Sequence, residues 1–230
     1  MPWKRLALPL SVLVIALYWF LSTWAQLFRA GGPALPGTTR SIALFVCVKT
    51  VLAVAFICSL LHANEERLAD LGFTGPFLRA ALVRGPLVAA GVFLLVNVVL
   101  GSLLRGLGAP GRPQALPALF RDPREAPLWI FLAVVGGGFT EELIRAFVLT
   151  RFDRALGRIG LTAAVFIDSA VFGLGHLYQG VTGAVQSGIT GLLFALIFLK
   201  RRRVADSMVV HAVFDLFGVA LAYSLFAGRT

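Results

Sequence analysis

The sequence predicts an all-α fold, a polytopic bundle of about seven transmembrane helices, or eight if one helix is missed or re-entrant. Three observations point there. The 230 residues are 58% apolar and only 14% charged, with a mean hydropathy of +0.87, whereas soluble domains run to roughly 45–50% apolar and about 25% charged. The apolar stretches are about 20 residues long, the length of a spanning helix rather than of a barrel strand. The basic residues sit between those stretches, as membrane-flanking residues do. A chain of this size cannot enclose so much apolar side chain and still show water a polar surface. In lipid only helices or closed barrels satisfy their own backbone.

The first expected span, 6–28, follows Lys4 and Arg5. Its basic start resembles a signal peptide, but its length, Trp19, Trp24 and the lack of a small-x-small cleavage site favour a retained helix. The second is 41–63 and the third 86–104. Between them, 64–84 mixes charges with Leu, Phe and Gly and reads as an amphipathic segment in the interface. Residues 106–127, rich in Pro and Gly, read as a surface loop. The remaining spans are 128–152, 159–178, 181–200 and 205–227. With no repeat or low-complexity tail, residues 1–230 read as one integral-membrane domain. Cys47 and Cys58, eleven residues apart on one helix, stand about 16 Å apart and cannot bridge; they read as small core hydrophobes.

The formal net charge is +10. Because the bases flank apolar runs, anionic lipid headgroups are a sufficient partner and nucleic acid is not expected. With the N-terminus inside, twelve of the 21 bases fall on the inner side, Lys200 to Arg203 among them, and seven on the outer. That bias predicts a cell-membrane protein with its N-terminus inside. Oligomeric state is left open.

Lys49, Glu141, Glu142, Arg145, Asp168, His176, His211 and Asp215 lie inside the spans. An ionisable group at the centre of a spanning helix costs roughly 2.5–3.5 kcal/mol, so it faces the bundle interior and commonly carries function. Adjacent on a helix, Glu141 and Glu142 point about 100° apart. Arg145 is in helical reach of both, so one glutamate can pair with it while the other faces a cavity as a candidate general base. Gly136, Gly137 and Gly138 read either as room for substrate or as close helix packing. Asp168, Phe172 and His176 share one helix face, and His211 and Asp215 are four apart on the last span. A His–Asp pair at that spacing holds an imidazole in one tautomer or supplies two metal ligands.

The segments Glu141-Glu142-Leu-Ile-Arg145, Phe172-Gly-Leu-Gly-His176 and His211-Ala-Val-Phe-Asp215, in this order on successive spans, resemble the CPBP family. These are the CAAX-processing and bacteriocin-immunity (Abi) membrane proteases, which include type II prenyl-protein endopeptidases. The family pattern is EExxxR, FxxxH and HxxxN or HxxxD, and the likeness covers about 128–222. The departure is EExxR: Arg145 comes one residue early, with Ala146 in the usual place, a rotation of about 100°.

The resemblance implies an intramembrane endopeptidase acting on membrane-associated, CAAX-type prenylated proteins or peptides. Glu141 is then the base that activates water, with His176 assisting, Glu142 and Arg145 in support, and His211 and Asp215 steadying the oxyanion or completing a metal site. The family is described both as metalloproteases and as metal-free, glutamate-dependent enzymes. A divalent metal, zinc foremost, held by Glu141, His176 and His211 therefore stands beside a metal-free mechanism. From other classes, an ion- or proton-coupled transporter and a catalytically silent scaffold or immunity protein are the alternatives. In simple alternating topology His176 and His211 also differ in depth by about 16 Å, so one shared site requires a tilted, broken or re-entrant span.

Overall fold

The structure, a computed structural model, describes residues 8–9, 11–16, 38–109 and 119–228, and among these it contains helices and no strand. Residues 8–9 and 11–16 are helical; the rest of the first expected span, with Trp19 and Trp24, lies outside the described residues, as do Lys4, Arg5, Arg29, Arg112 and Arg229. The helices are α1 (Thr39–Ala63), α2 (Gly75–Phe93), α3 (Gly101–Gly106), α4 (Ala126–Phe131), α5 (Glu142–Gly175), α6 (Gly180–Arg201) and α7 (Val204–Phe226). Two wide π-type stretches, Leu94–Leu100 and Leu132–Glu141, join α2 to α3 and α4 to α5. Five helical segments among the described residues are long and apolar enough to cross a membrane: Thr39–Ala63, Leu68–Gly106, Pro123–Gly175, Leu177–Arg201 and Val204–Phe226.

The surface confirms the solvent. Val83 and Leu87 are each 81% exposed and Ile159 85%, while Glu142, Arg145, Asp168 and His211 are buried. Apolar side chains outside and charges inside suit lipid, where leaving a Leu exposed carries no hydrophobic penalty. The protein is an integral membrane protein. Both cysteines are free, and Cys47 is exposed rather than in the core expected for it.

The structure departs from the expected bounds most at the third span. The third span begins at Gly75, eleven residues before the expected 86. Thr74 caps the helix by accepting from the Phe77 amide, and Pro76 sits in the first turn, where its missing N–H is harmless. The segment read as interfacial is therefore a 3-10 turn (Leu68–Leu71) followed by the start of α2.

The fourth and fifth expected spans are two arms of one helical stretch, Pro123–Gly175, with a reversal between them. Straight, the 23 residues from Arg145 to Asp168 would cover about 34 Å, yet Arg145 Nε lies 2.9 Å from Asp168 Oδ2. The chain doubles back at Gly157, whose φ of 62° and ψ of −153° are open to glycine alone. Its two arms, α5 before and after Gly157, lie side by side. Ion pairs gather the neighbouring connections at the same end: Arg151 and Arg154 both pair with Glu66, and Arg202 with Asp153 at 2.8 Å.

His176 and His211 line one cavity, so the expected mismatch in depth is absent. The first turn of α7 is packed within the protein. Val204, Ala205 and Ser207 are fully buried, and the Arg203 guanidinium stacks on the Phe77 ring at 4.0 Å. Gly72 lets the backbone of Arg202 and Arg203 come so close that a Cβ there would sit 2.5 Å from the Arg203 Cα. α7 carries His211, seven residues after Val204, to the same cavity as His176.

Gly157→Ala tests the hairpin. No atom crowds the site, so backbone strain alone acts. The variant is expected to keep its helicity by circular dichroism and to lose about 1–3 kcal/mol in unfolding titrations.

Candidate active site

The site is built where the two arms of α5, α6, α7 and the π-type stretch meet. Its centre is Arg145, 2% exposed. Nη1 pairs with Glu142 Oε1, three residues earlier on the same arm, and Nε donates to Asp168 Oδ2 on the other arm at 2.9 Å. The guanidinium lies over Phe172 at 4.8 Å and Phe194 at 5.9 Å from the ring centroids. The early position of Arg145 thus keeps its expected pairing with Glu142 and adds a second acid. A planar fork with several donors can serve two carboxylates at once.

Glu142 also holds α7. The same Oε1 lies 2.8 Å from His211 Nδ1, and His211 Nε2 is 3.4 Å from Asp215 Oδ2. A carboxylate at Oε1 requires Nδ1 to be the donor, so His211 stands between two acids, one on each ring nitrogen. Glu142 is fully buried, and its Oε2 has no partner among the described residues.

His176 is not inside a span as expected. α5 ends at Gly175, and His176 caps it. Its Nδ1 lies 2.8 Å from the Phe172 carbonyl, one of the helix's terminal acceptors. A carbonyl only accepts, so the proton is on Nδ1 and the lone pair of the neutral ring is on Nε2. Phe172 packs against both histidines, with ring centroids 4.6 Å from His176 and 5.9 Å from His211.

Glu141 faces away from Arg145. Its Oε1 accepts from Lys49 Nζ on α1 at 2.9 Å, so the expected division of the glutamates holds for Glu142, but Glu141 is paired too. It remains within electrostatic range of His176 and His211. The three glycines have separate roles. Gly136 faces Val46 on α1, while a Cβ on Gly138 would lie 2.9 Å from the Met208 carbonyl of α7. A Cβ on Gly137 would lie 2.3 Å from Asp215 Oδ2 and 3.0 Å from His211 Nε2, so its absence keeps that pair clear. At all three residues the run lets neighbouring helices approach closely, the packing reading.

A cavity of about 90 Å³ opens beside the histidines, lined by Phe172, His176, His211 and Asp215 and by the polar side chains Asn97, Gln179, Gln186, Ser187 and Thr190. These five were not singled out in the sequence. Asn97 had a signal, as the one amide in the apolar run Leu94–Leu100. Among the described residues no three His, Cys, Asp or Glu side chains cluster as metal ligands. With both nitrogens of His211 turned to carboxylates, this arrangement does not fit a zinc site made of Glu141, His176 and His211.

Arg145→Met tests the centre. It leaves the Glu142 and Asp168 carboxylates buried without their cation, and breaking such a pair costs about 3–5 kcal/mol. Thermal melting in detergent is expected to show a large loss, and Arg145→Lys a smaller one, because a point charge cannot serve both acids with the same geometry.

No curated protein and no solved structure matches the chain. A family model does, and it is a protease family. The matched residues, 123–217, contain all the site residues described above except Lys49 and Asn97. The stretch that builds the site is therefore similar to type II CAAX prenyl endopeptidases of the Rce1-like family, the relationship its three motifs carry.

Proposed function

We propose that the protein is an intramembrane endopeptidase in which Glu141 takes a proton from a water as that water attacks the scissile carbonyl. His176 assists through Nε2, the nitrogen left basic by its Nδ1 bond to Phe172. His211, steadied at Nδ1 by Glu142, presents Nε2 on the Asp215 side; when the ring is protonated on both nitrogens, Nε2–H donates to the oxyanion of the tetrahedral intermediate. Glu142, Arg145, Asp168 and Phe172 hold these groups in place. The substrate class is a membrane-associated protein or peptide of the prenylated CAAX type.

One observation carries this reading. The family match to a protease spans the same residues that meet around Arg145. It weighs against the transporter and scaffold alternatives. The mechanism is written with the chain's own residues; among the described residues no three donor side chains cluster as ligands.

The test uses purified protein in lipid nanodiscs and a farnesylated CAAX peptide carrying a fluorophore and a quencher on either side of the scissile bond. Glu141→Ala, His176→Ala and His211→Ala are each expected to lower kcat by about 10²–10⁴-fold while remaining inserted and folded. Full activity in Glu141→Ala contradicts the assignment. A strong zinc chelator is expected to leave the rate within about twofold, whereas loss restored by added zinc would establish a metal at the site.

A further inference from the structure

Lys49 lies on α1, outside the residues that match the protease family. Its Nζ donates to Glu141 Oε1 at 2.9 Å. The next residue makes a second polar contact to the same turn: Thr50 Oγ1 and Thr140 Oγ1 are 2.7 Å apart. Thr140 gives its own proton to the Val135 carbonyl at 2.6 Å, which can only accept, so Thr50 is the donor to Thr140. Two successive rungs, 49 to 141 and 50 to 140, thus tie α1 to the last turn of the π-type stretch. They differ in kind. The threonine rung fixes the backbone of that turn, and the lysine rung reaches the carboxylate itself.

The surroundings of Lys49 make its placement costly unless the ammonium has a specific use. It lines a cavity of about 380 Å³ whose other walls, among them Leu52, Phe56, Ile144 and Phe147, are all apolar. The four-carbon stem can lie along such walls, but the charged end cannot stay among them. Here that end meets the one carboxylate proposed to do chemistry. The side chains of Lys49 and Glu141 are 28% and 25% exposed, so the pair stands at the edge of the site and not in the sealed core that holds Arg145. An ion pair through Oε1 fixes the carboxylate rotamer and leaves Oε2 to take the proton from water.

We propose that Lys49 is a positioning residue for Glu141, aiming the base by holding one of its two oxygens. This rests on Glu141 being the base. The effect is on the chemical step and not on substrate affinity, because the interaction is with the enzyme's own base. A misplacement of about 1 Å at a reacting group can cost 10²-fold in rate.

The experiment measures kcat and KM separately in nanodiscs with the same farnesylated peptide. The variants are Lys49→Met, Lys49→Arg, Thr50→Val and Glu141→Gln, with active concentration normalised to the monodisperse fraction by size exclusion. Lys49→Met is expected to lower kcat by about 10–10²-fold with KM within about threefold. Lys49→Arg restores most of kcat, because it returns a cation to Oε1. Thr50→Val, which removes only the backbone rung, stays near the parent rate. A parent kcat in Lys49→Met overturns the proposal, and so does a Thr50→Val loss as large as that of Lys49→Met, since α1 anchoring would then be the cause. If Lys49→Met does not fold, the comparison of Lys49→Arg with Thr50→Val decides: a rate in Lys49→Arg below that of Thr50→Val by 10-fold or more overturns it. Activity retained by Glu141→Gln would instead overturn the general-base reading. An inactive Glu141→Gln with a normal Lys49→Met removes Lys49 alone.

Discussion

The rest of the site depends on one buried cation. Arg145 is held between Glu142 and Asp168 where water is excluded, and each of the three would be expensive alone. Releasing any one of them takes a buried ion-pair partner from another, so the two arms of α5 are locked at one register. Through Glu142 the lock extends to His211 on α7, and through the rings of Phe172 and Phe194 it extends to α6. The groups proposed for catalysis sit on elements that this network orders. Buried ion pairs often add little net stability. Their use here is to select one arrangement among helices whose apolar faces lipid would accept in many.

Around that lock, the backbone supplies the placement. Gly157 turns one 53-residue segment into two antiparallel arms, which is what allows residues 23 apart to share a guanidinium. The π-type stretch that ends at Glu141 carries the glycines that let α1 and α7 approach from different sides. The packing of α7 against both arms of α5 lets a histidine only seven residues into one helix share a cavity with one at the far end of another. His176 stands at a helix terminus, where the orphan carbonyl of Phe172 sets its tautomer without help from a further side chain.

Much of the site was legible because charge in an apolar run is rare enough to stand out. Glu141, Glu142, Arg145, Asp168, His176, His211 and Asp215 were all visible on that ground, and the i+3 spacing of Glu142 and Arg145 correctly indicated their pairing. Other features were hidden for physical reasons. Lys49 could be seen as misplaced, but its partner is 92 residues away and no periodicity links them. The third span starts before the charges Arg79 and Arg84, because the Thr74 cap and Pro76 open the helix at Gly75. The reversal at Gly157 falls where the fourth and fifth expected spans separate, yet nothing in a lone glycine foretells that Arg145 and Asp168 face each other across it. The Asp215 side of His211 was legible in its i+4 spacing, but the Glu142 side depended on the same unseen register.

The central claim is that water, activated at Glu141, hydrolyses a peptide bond within the membrane domain. The most direct measurement is mass spectrometry of the products formed from the farnesylated peptide by purified protein in oxygen-18 water. The account predicts cleavage with heavy oxygen incorporated into the new carboxylate, and no product from Glu141→Ala. Absence of cleavage by the parent protein, or equal labelled product from Glu141→Ala, would contradict it.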